Sequence, residues 1–250
     1  MTREEQLFLN RAEELARRAL EKGVYTRTGF LSLREQELLS MLGHSLCACT
    51  LFGGAEDCER KMARFGSAEL CGYEEPFPIA CVEIAPAGER FADALTHRDF
   101  LGALMSLGVE RDVLGDVLVR GKHGYVFCTE AIAPFLAENL TKVKHTAVRC
   151  AVCEPPAPAQ TPLSPETVKV TSPRADAVVA RAYRLSREES LALFRAGRVF
   201  RNGAVLENNS APLRDGDILS VRGFGRFACR GVTGTTKKGK LNLTIEKYLS

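Results

Sequence analysis

The stretch 174-RADAVVARAYRLSREESLALFRAGRVFRNG-203 holds the densest local instructions in the chain. Its apolar positions recur at helical spacing twice, across Pro173–Tyr183 and again across Arg187–Ala196, which predicts two short helices. Ser186 stands just before the second helix and Glu189 three residues later, the pattern in which each side chain caps the other residue's backbone N–H. Gly197 sits where a left-handed glycine ends such a helix. Asn202-Gly203 then favours a type I′ turn between short strands at Val199–Arg201 and Ala204–Leu206. Asp215-Gly-Asp217 marks a further turn, and strands are expected at Ile218–Arg222, Phe227–Val232 and Asn242–Tyr248.

Working upstream, residues 154–165 read EPPAPAQTPLSP, and five prolines there favour an extended spacer over a sheet ladder. A Pro-rich linker is therefore expected at 154–166, with a separate module at 167–250. Charge divides near the same place. Residues 1–162 carry a net −5 and residues 163–250 a net +8, although the whole chain is only +3. A basic module on a mildly acidic body points to a polyanionic partner for the basic part.

Before the linker, Arg3–Lys22 and Ser32–Leu42 have amphipathic helical spacing. His44–Phe52 suggests a strand and Ala55–Phe65 another helix, with Phe52-Gly-Gly54 as the turn, giving an α/β domain over 1–75. From Pro76 the expected order is strand Ile79–Ala85, helix His97–Leu107, strand Gly115–Arg120, strand Tyr125–Thr129, helix Ala131–Leu140 and strand Thr146–Cys153. That βαββαβ order over 76–153 is the ferredoxin-like arrangement, so the fold class is α+β with three parts. Tyr125 and Phe127 are two apart on one strand and share a face, where they would stack bases if the face is open, or fill a core if it is not.

Arg174-Ala-Asp176, Leu185-Ser-Arg187, Arg195-Ala-Gly-Arg-Val199, Asn202-Gly203 and Asp215-Gly-Asp217, in this order and spacing, resemble the S-four RNA-binding domain. Ala175 stands where that family usually has Leu, and Glu188-Glu189 where a small residue and Lys are common. In such a module Arg174 and Arg187 would grip phosphates with planar guanidinium forks. Ser186 and the free N–H groups of the second helix would add an anion site, with Arg195, Arg198, Arg201 and Asn202 beside it.

The rest of the chain is similar to the YlmH-like proteins, through Leu51-Phe-Gly-Gly54, Thr96-His-Arg-Asp-Phe-Leu-Gly-Ala-Leu-Met-Ser-Leu-Gly108, Gly115-Asp-Val-Leu-Val119, Glu138-Asn-Leu-Thr-Lys-Val143 and Val221-Arg-Gly-Phe-Gly-Arg-Phe227. The resemblance implies a bacterial, cytoplasmic protein that binds ribosomal RNA and tRNA on the large ribosomal subunit, in quality control of stalled nascent chains. In the central domain His97, Arg98, Tyr125 and Phe127 are the candidate RNA contacts.

Catalytic readings find little footing. His97-Arg98-Asp99 mimics a kinase catalytic tripeptide, but no Gly-rich loop or DFG segment accompanies it, and Asp99 suits the first turn of a helix. Cys150-Ala-Val-Cys153 has zinc-ligand spacing without a second pair, and on a strand the two residues face opposite ways. No metal, cofactor or small-molecule substrate is expected. The nine cysteines follow no disulfide spacing and read as reduced, several of them in apolar runs. No run reaches the roughly 18 apolar residues of a membrane helix, and no signal peptide opens the chain, so a cytoplasmic location is expected. The competing reading is an RNA-modifying enzyme that uses the basic module for docking. A third is a protein-interaction role for residues 1–75.

Overall fold

The Thr2 hydroxyl accepts the Glu5 N–H at 3.2 Å while the Glu5 carboxylate accepts the Thr2 N–H at 2.8 Å, and this reciprocal cap starts α1 (Arg3–Lys22). Ala12, Leu15, Ala16 and Ala19 form its buried stripe. A second capping box, Ser32 with Glu35, starts α2 (Leu33–Met41). The computed structural model describes residues 2–42, 47–56, 58–88, 93–157, 163–236 and 239–248. By compactness the chain forms two units, Met1–Pro158 and Ala159–Ser250, so the segments 1–75 and 76–153 fall together in the first.

β1 (Thr26–Leu31), β2 (Cys49–Phe52) and β3 (Lys61–Phe65) make an antiparallel sheet of order β1-β3-β2. The strand expected over His44–Phe52 is described only from Cys49, since residues 43–46 lie outside the described residues. The helix expected over Ala55–Phe65 is not there. Its last five residues are β3, the central strand, and it escapes the alternating pattern because both its faces are covered. Ala63 and Phe65 pack against α1, while Met62 points the other way to Phe30 and Phe127. A short helix, α3 (Ala68–Cys71), follows.

The second sheet joins β4 (Ile79–Pro86), β5 (Leu114–Arg120), β6 (His123–Thr129), β7 (Lys142–Val143) and β8 (Thr146–Cys153) in the order β5-β6-β4-β8-β7, with every neighbour antiparallel. α4 (His97–Met105) and α5 (Ala133–Asn139) cover one face, burying Phe100, Leu104 and Leu136 on Val82, Ile84 and Val126. The element order is the βαββαβ read from the sequence, with β7 added.

The opposite face of that sheet is closed by the N-terminal segment. Phe127 is fully buried among Phe30, Cys58, Met62 and Cys81, with Tyr125 at the margin of the same cluster. Phe127 therefore cannot stack bases, and the expectation that it contacts RNA is corrected: a neighbouring part of the chain already occupies its face. Gly115 permits this approach, because a Cβ there would stand 2.7 Å from the Phe30 ring. A polar latch accompanies it. Asp116 accepts the Glu59 and Arg60 N–H groups at 2.5 and 3.2 Å, and the Arg60 guanidinium donates to the carbonyls of Leu114, Phe30 and Arg111 at 3.0, 2.6 and 3.1 Å.

The second unit opens with β9 (Leu163–Val170), where the sequence reading had placed the end of the linker. Then come α6 (Ala175–Ala182), α7 (Arg187–Arg195), β10 (Val199–Arg201), β11 (Ala204–Val205), β12 (Ile218–Val221), β13 (Gly225–Thr235) and β14 (Leu241–Tyr248). The sheet runs β11-β10-β12-β13-β14-β9. Proline did not exclude β9 because it is the edge strand, where a missing N–H need not break a ladder: Pro165 lies opposite Glu246. Both helices pack on one face, Val178, Val179, Leu193 and Phe194 against Leu219, Phe227, Leu243 and Ile245.

Phe127→Ala should destabilise the protein by about 3–5 kcal/mol, the usual range for emptying a buried phenyl site. Tyr125→Phe removes only the hydroxyl that donates to Glu83 at 2.9 Å and should cost about 1 kcal/mol. Urea unfolding of both variants against the parent checks the ranking.

Candidate RNA interface

The basic residues of the second unit are placed by α6, α7 and the turn between them. Arg184 takes a left-handed φ of 54°, and the Leu185 N–H reaches the Ala180 carbonyl at 2.8 Å, so the chain reverses within a few residues. Ser186 then caps α7: its hydroxyl accepts the Glu189 N–H at 3.2 Å, and the Glu189 carboxylate accepts the Ser186 N–H at 2.7 Å. The Ser186 side chain is thus engaged in the cap. Arg187, the first residue of α7, is exposed.

Beside this turn lies a cleft of about 550 Å³, bordered by Lys169, Arg174, Asp176, Arg181, Ser186, Arg187 and Lys240. Five of these are cations and one is an anion, and the anion is committed. The Arg174 guanidinium grips the Asp176 carboxylate through Nε and Nη2 at 3.1 and 2.7 Å. Asn209 Nδ2 and the Ala177 N–H complete the carboxylate's partners at 3.0 and 2.8 Å. Burial alone would raise the Asp176 carboxyl, yet Arg174, Asn209 and the Ala177 N–H together outweigh it and hold the group below its ordinary value of 3.8. Arg174 is thereby fixed as an oriented fork whose side chain is still 40% exposed.

The sequence-predicted residues separate into groups. Arg174, Ser186 and Arg187 converge on the cleft. Arg195 borders a different cleft with Phe194, Val205 and Glu207. Arg198 donates from Nη2 to the Arg222 carbonyl at 2.8 Å, and Arg201 lies 3.9 Å from Asp217. Asn202 is built into the fold: Oδ1 accepts the Ile218 N–H at 2.9 Å, Nδ2 reaches Asp217 at 3.4 Å, and its φ of 50° forms the hairpin turn with Gly203. An RNA contact by the Asn202 side chain is accordingly replaced by a structural one, since both its polar ends face β12 and its preceding turn.

Lys169, Arg181 and Lys240 were missed. Lys169 sits on β9, whose first half falls in the linker expected at 154–166 and whose second half was given no element, and Lys240 lies next to Leu241, which pairs with Val170 of β9. The excess positive charge after residue 163 was the one signal for them.

In the first unit His97 and Arg98 open α4. Desolvation lowers the His97 pKa, against the pull of Asp116. Asp99 accepts the Thr96 N–H at 2.8 Å and pairs with Lys144 at 2.8 Å, and Lys144 leads the effects that bring its carboxyl down to about 2. It is a helix-capping carboxylate. Cys150 donates to the Leu140 carbonyl at 3.3 Å, while Cys153 lies 3.8 Å from Cys81, in the cluster on the other face. Among the described residues no group of three or more His, Cys, Asp or Glu could hold a metal ion.

Comparison with known proteins gives these positions a family. Residues 73–155 match the model described as "Putative RNA-binding domain in YlmH". Over 253 aligned residues the chain is 32% identical to the "Ribosome-associated protein quality control protein P2" of Bacillus subtilis (strain 168), covering 98% of this chain and 96% of that protein. The chain belongs to the YlmH family. A solved structure, "Cell division protein ylmH from Streptococcus pneumoniae", matches with a TM-score of 0.50 and 22% identity over 61% of this chain and 93% of that one, a likeness of fold. The segment matched by the YlmH model spans the β5-β6-β4-β8-β7 sheet, whereas the basic cleft lies beyond it, between residues 169 and 240.

Because the folded state holds the Asp176 carboxyl below its unfolded pKa, the stability it contributes is fully present above about pH 4 and is lost as pH falls through the lower folded value. Asp176→Asn should flatten this acid limb and lower stability near neutral pH by about 1–3 kcal/mol, since Arg174 loses its charged partner. Melting temperature against pH for parent and variant tests both effects.

Proposed function

We propose that this YlmH-family chain is a non-catalytic RNA-binding protein of the bacterial cytoplasm. It binds structured ribosomal RNA or tRNA on the large ribosomal subunit and acts in quality control of stalled nascent chains. The observation that carries the reading is the cleft beside the N-terminus of α7, where Lys169, Arg174, Arg181, Arg187 and Lys240 converge and the one carboxylate is consumed by Arg174. Such a surface suits a ridge of phosphates: the guanidinium groups supply planar forks, and the exposed start of α7 supplies backbone N–H groups. Ser186 contributes by shaping that helix start, and Arg195, Arg198 and Arg201 add to the positive charge of the same unit outside the cleft.

The name of the Bacillus relative supports the ribosome as the place of action, and the family model supports RNA as the ligand class. We read α6, α7 and β10–β12 as an S-four-type module extended by C-terminal strands. The βαββαβ segment reads as a ferredoxin-like domain, because its order β5-β6-β4-β8 is the one that fold requires. Phe127 is covered, so the half-exposed Tyr125, together with His97 and Arg98 at the start of α4, makes up the RNA contacts left to it. No membrane and no small-molecule substrate enters this reading.

Arg187→Glu should weaken binding to a structured ribosomal RNA fragment by about 2–3 kcal/mol. The melting temperature should barely move, because an acidic residue in the first turn of a helix suits the dipole. Unchanged affinity would remove this face from the interface, and a large fall in melting temperature would make Arg187 structural. For the parent chain, affinity should also drop by orders of magnitude between about 50 and 200 mM salt. A flat response in a salt titration would remove the electrostatic basis of the proposal.

A further inference from the structure

The turn between β12 and β13, Val221-Arg-Gly-Phe-Gly-Arg-Phe227, presents an aromatic ring to solvent between two arginines. The Phe224 N–H closes the turn on the Val221 carbonyl at 3.0 Å. Gly223 and Gly225 take φ values of 88° and 124°, which side chains resist, and a Cβ on Gly223 would stand 2.7 Å from Arg198 Nη2. The tip therefore has a defined shape. Phe224 is 43% exposed, and its ring leans on Tyr183 with centroids 5.6 Å apart. Tyr183 leans in turn on the buried Phe227 at 6.0 Å. A ladder of rings thus holds Phe224 from behind and leaves part of it open.

Arginines stand on both sides of Phe224 along the chain, at 222 and 226, and Arg198 is tied to the same turn. The Arg222 guanidinium lies 4.6 Å over Phe200, and Arg226 lies 5.0 Å over Tyr248. Arg198 is held by the Arg222 carbonyl. Among the described residues neither Arg198 nor Arg222 is paired with a carboxylate, so their charge remains available to an anion.

We propose that this hairpin tip is a second RNA contact, in which an unpaired base stacks on Phe224 while Arg198 and Arg222 hold the adjoining phosphates. The proposal rests on the RNA-binding reading above and adds to it a preference for unpaired over fully paired RNA. A nucleotide combines a flat π-face with an anionic backbone, and an exposed ring flanked by guanidinium groups matches both. The contact is distinct from the cleft at Arg187, which needs only phosphates.

The chain has no tryptophan, so Phe224→Trp in the full-length protein creates a single fluorescent reporter at the tip. Three probes are compared: a stem-loop RNA with an unpaired adenosine loop, a blunt duplex of the same stem, and vesicles rich in anionic phospholipid. The stem-loop should quench the reporter strongly and the duplex weakly. Phe224→Ala should weaken stem-loop binding about tenfold and duplex binding less than twofold, with unchanged thermal unfolding, whereas Phe224→Trp should retain stem-loop affinity. If the stem-loop binds in an Arg187-dependent way, but Phe224→Ala has no effect and the reporter is not quenched, the stacking contact is overturned and the RNA reading stands. If the reporter responds to vesicles and not to RNA, the tip is a lipid contact and the proposal is overturned. If neither RNA binds the parent chain, the RNA reading falls and the stacking contact falls with it.

Discussion

A carboxylate with almost no access to water organises the basic unit. Removing Asp176 from solvent is unfavourable, and two bonds from Arg174, one from Asn209 and one from the Ala177 N–H offset that cost. The main chain of the same residue works too: its N–H donates to the Asn209 carbonyl and its C=O accepts the Ser190 hydroxyl, both at 2.9 Å. One position therefore fixes the start of α6, ties α7 to it, secures the loop around Asn209 and aims an arginine at the cleft. The shape of the basic cleft is a by-product of satisfying one buried charge.

The first unit solves a similar problem with the opposite charge. Arg60 is the cation, three backbone carbonyls accept hydrogen bonds from its guanidinium, and Asp116 accepts the Glu59 and Arg60 backbone N–H groups. The consequence is steric as well as polar. With Phe30 and Met62 laid over Phe127, the sheet face that many recognition domains leave open is here an interior. Phe224, an exposed ring with an arginine two residues to either side, belongs to the other unit.

What could be read from the sequence follows from the range of the signals. Capping pairs such as Ser186 with Glu189, the Asn202-Gly203 turn and the helical stripes of α1, α4 and α7 are written within a few residues, and each element is found where those residues place it. The family was legible too, since its motifs are short and ordered along the chain. The losses came where a distant segment decides. β3 looked helical because its second apolar face meets residues around 30 and 127. The first half of β9 looked like spacer because its partner, β14, lies far along the chain. The same separation hid Lys169 and Lys240 from the candidate site, and it made Asn202 look like a ligand when its partner was Ile218.

The register of β9 on β14 has a mechanical meaning. Leu163 lies opposite Tyr248 and Val170 opposite Leu241, so the first residue of β9 and the last of β14 share one end of the ladder. Lys169 and Lys240 sit at the other end, about 20 Å away at the rise of an extended strand. A load on Leu163 or Tyr248 is thus applied at the end of the ladder remote from these lysines. A force that drew those two strand ends apart would open the antiparallel ladder from the Leu163–Tyr248 rung inward, one rung at a time. Lys169 and Lys240 on the one hand, and the Leu163 and Tyr248 strand ends on the other, thus stand at opposite ends of a single β-ribbon.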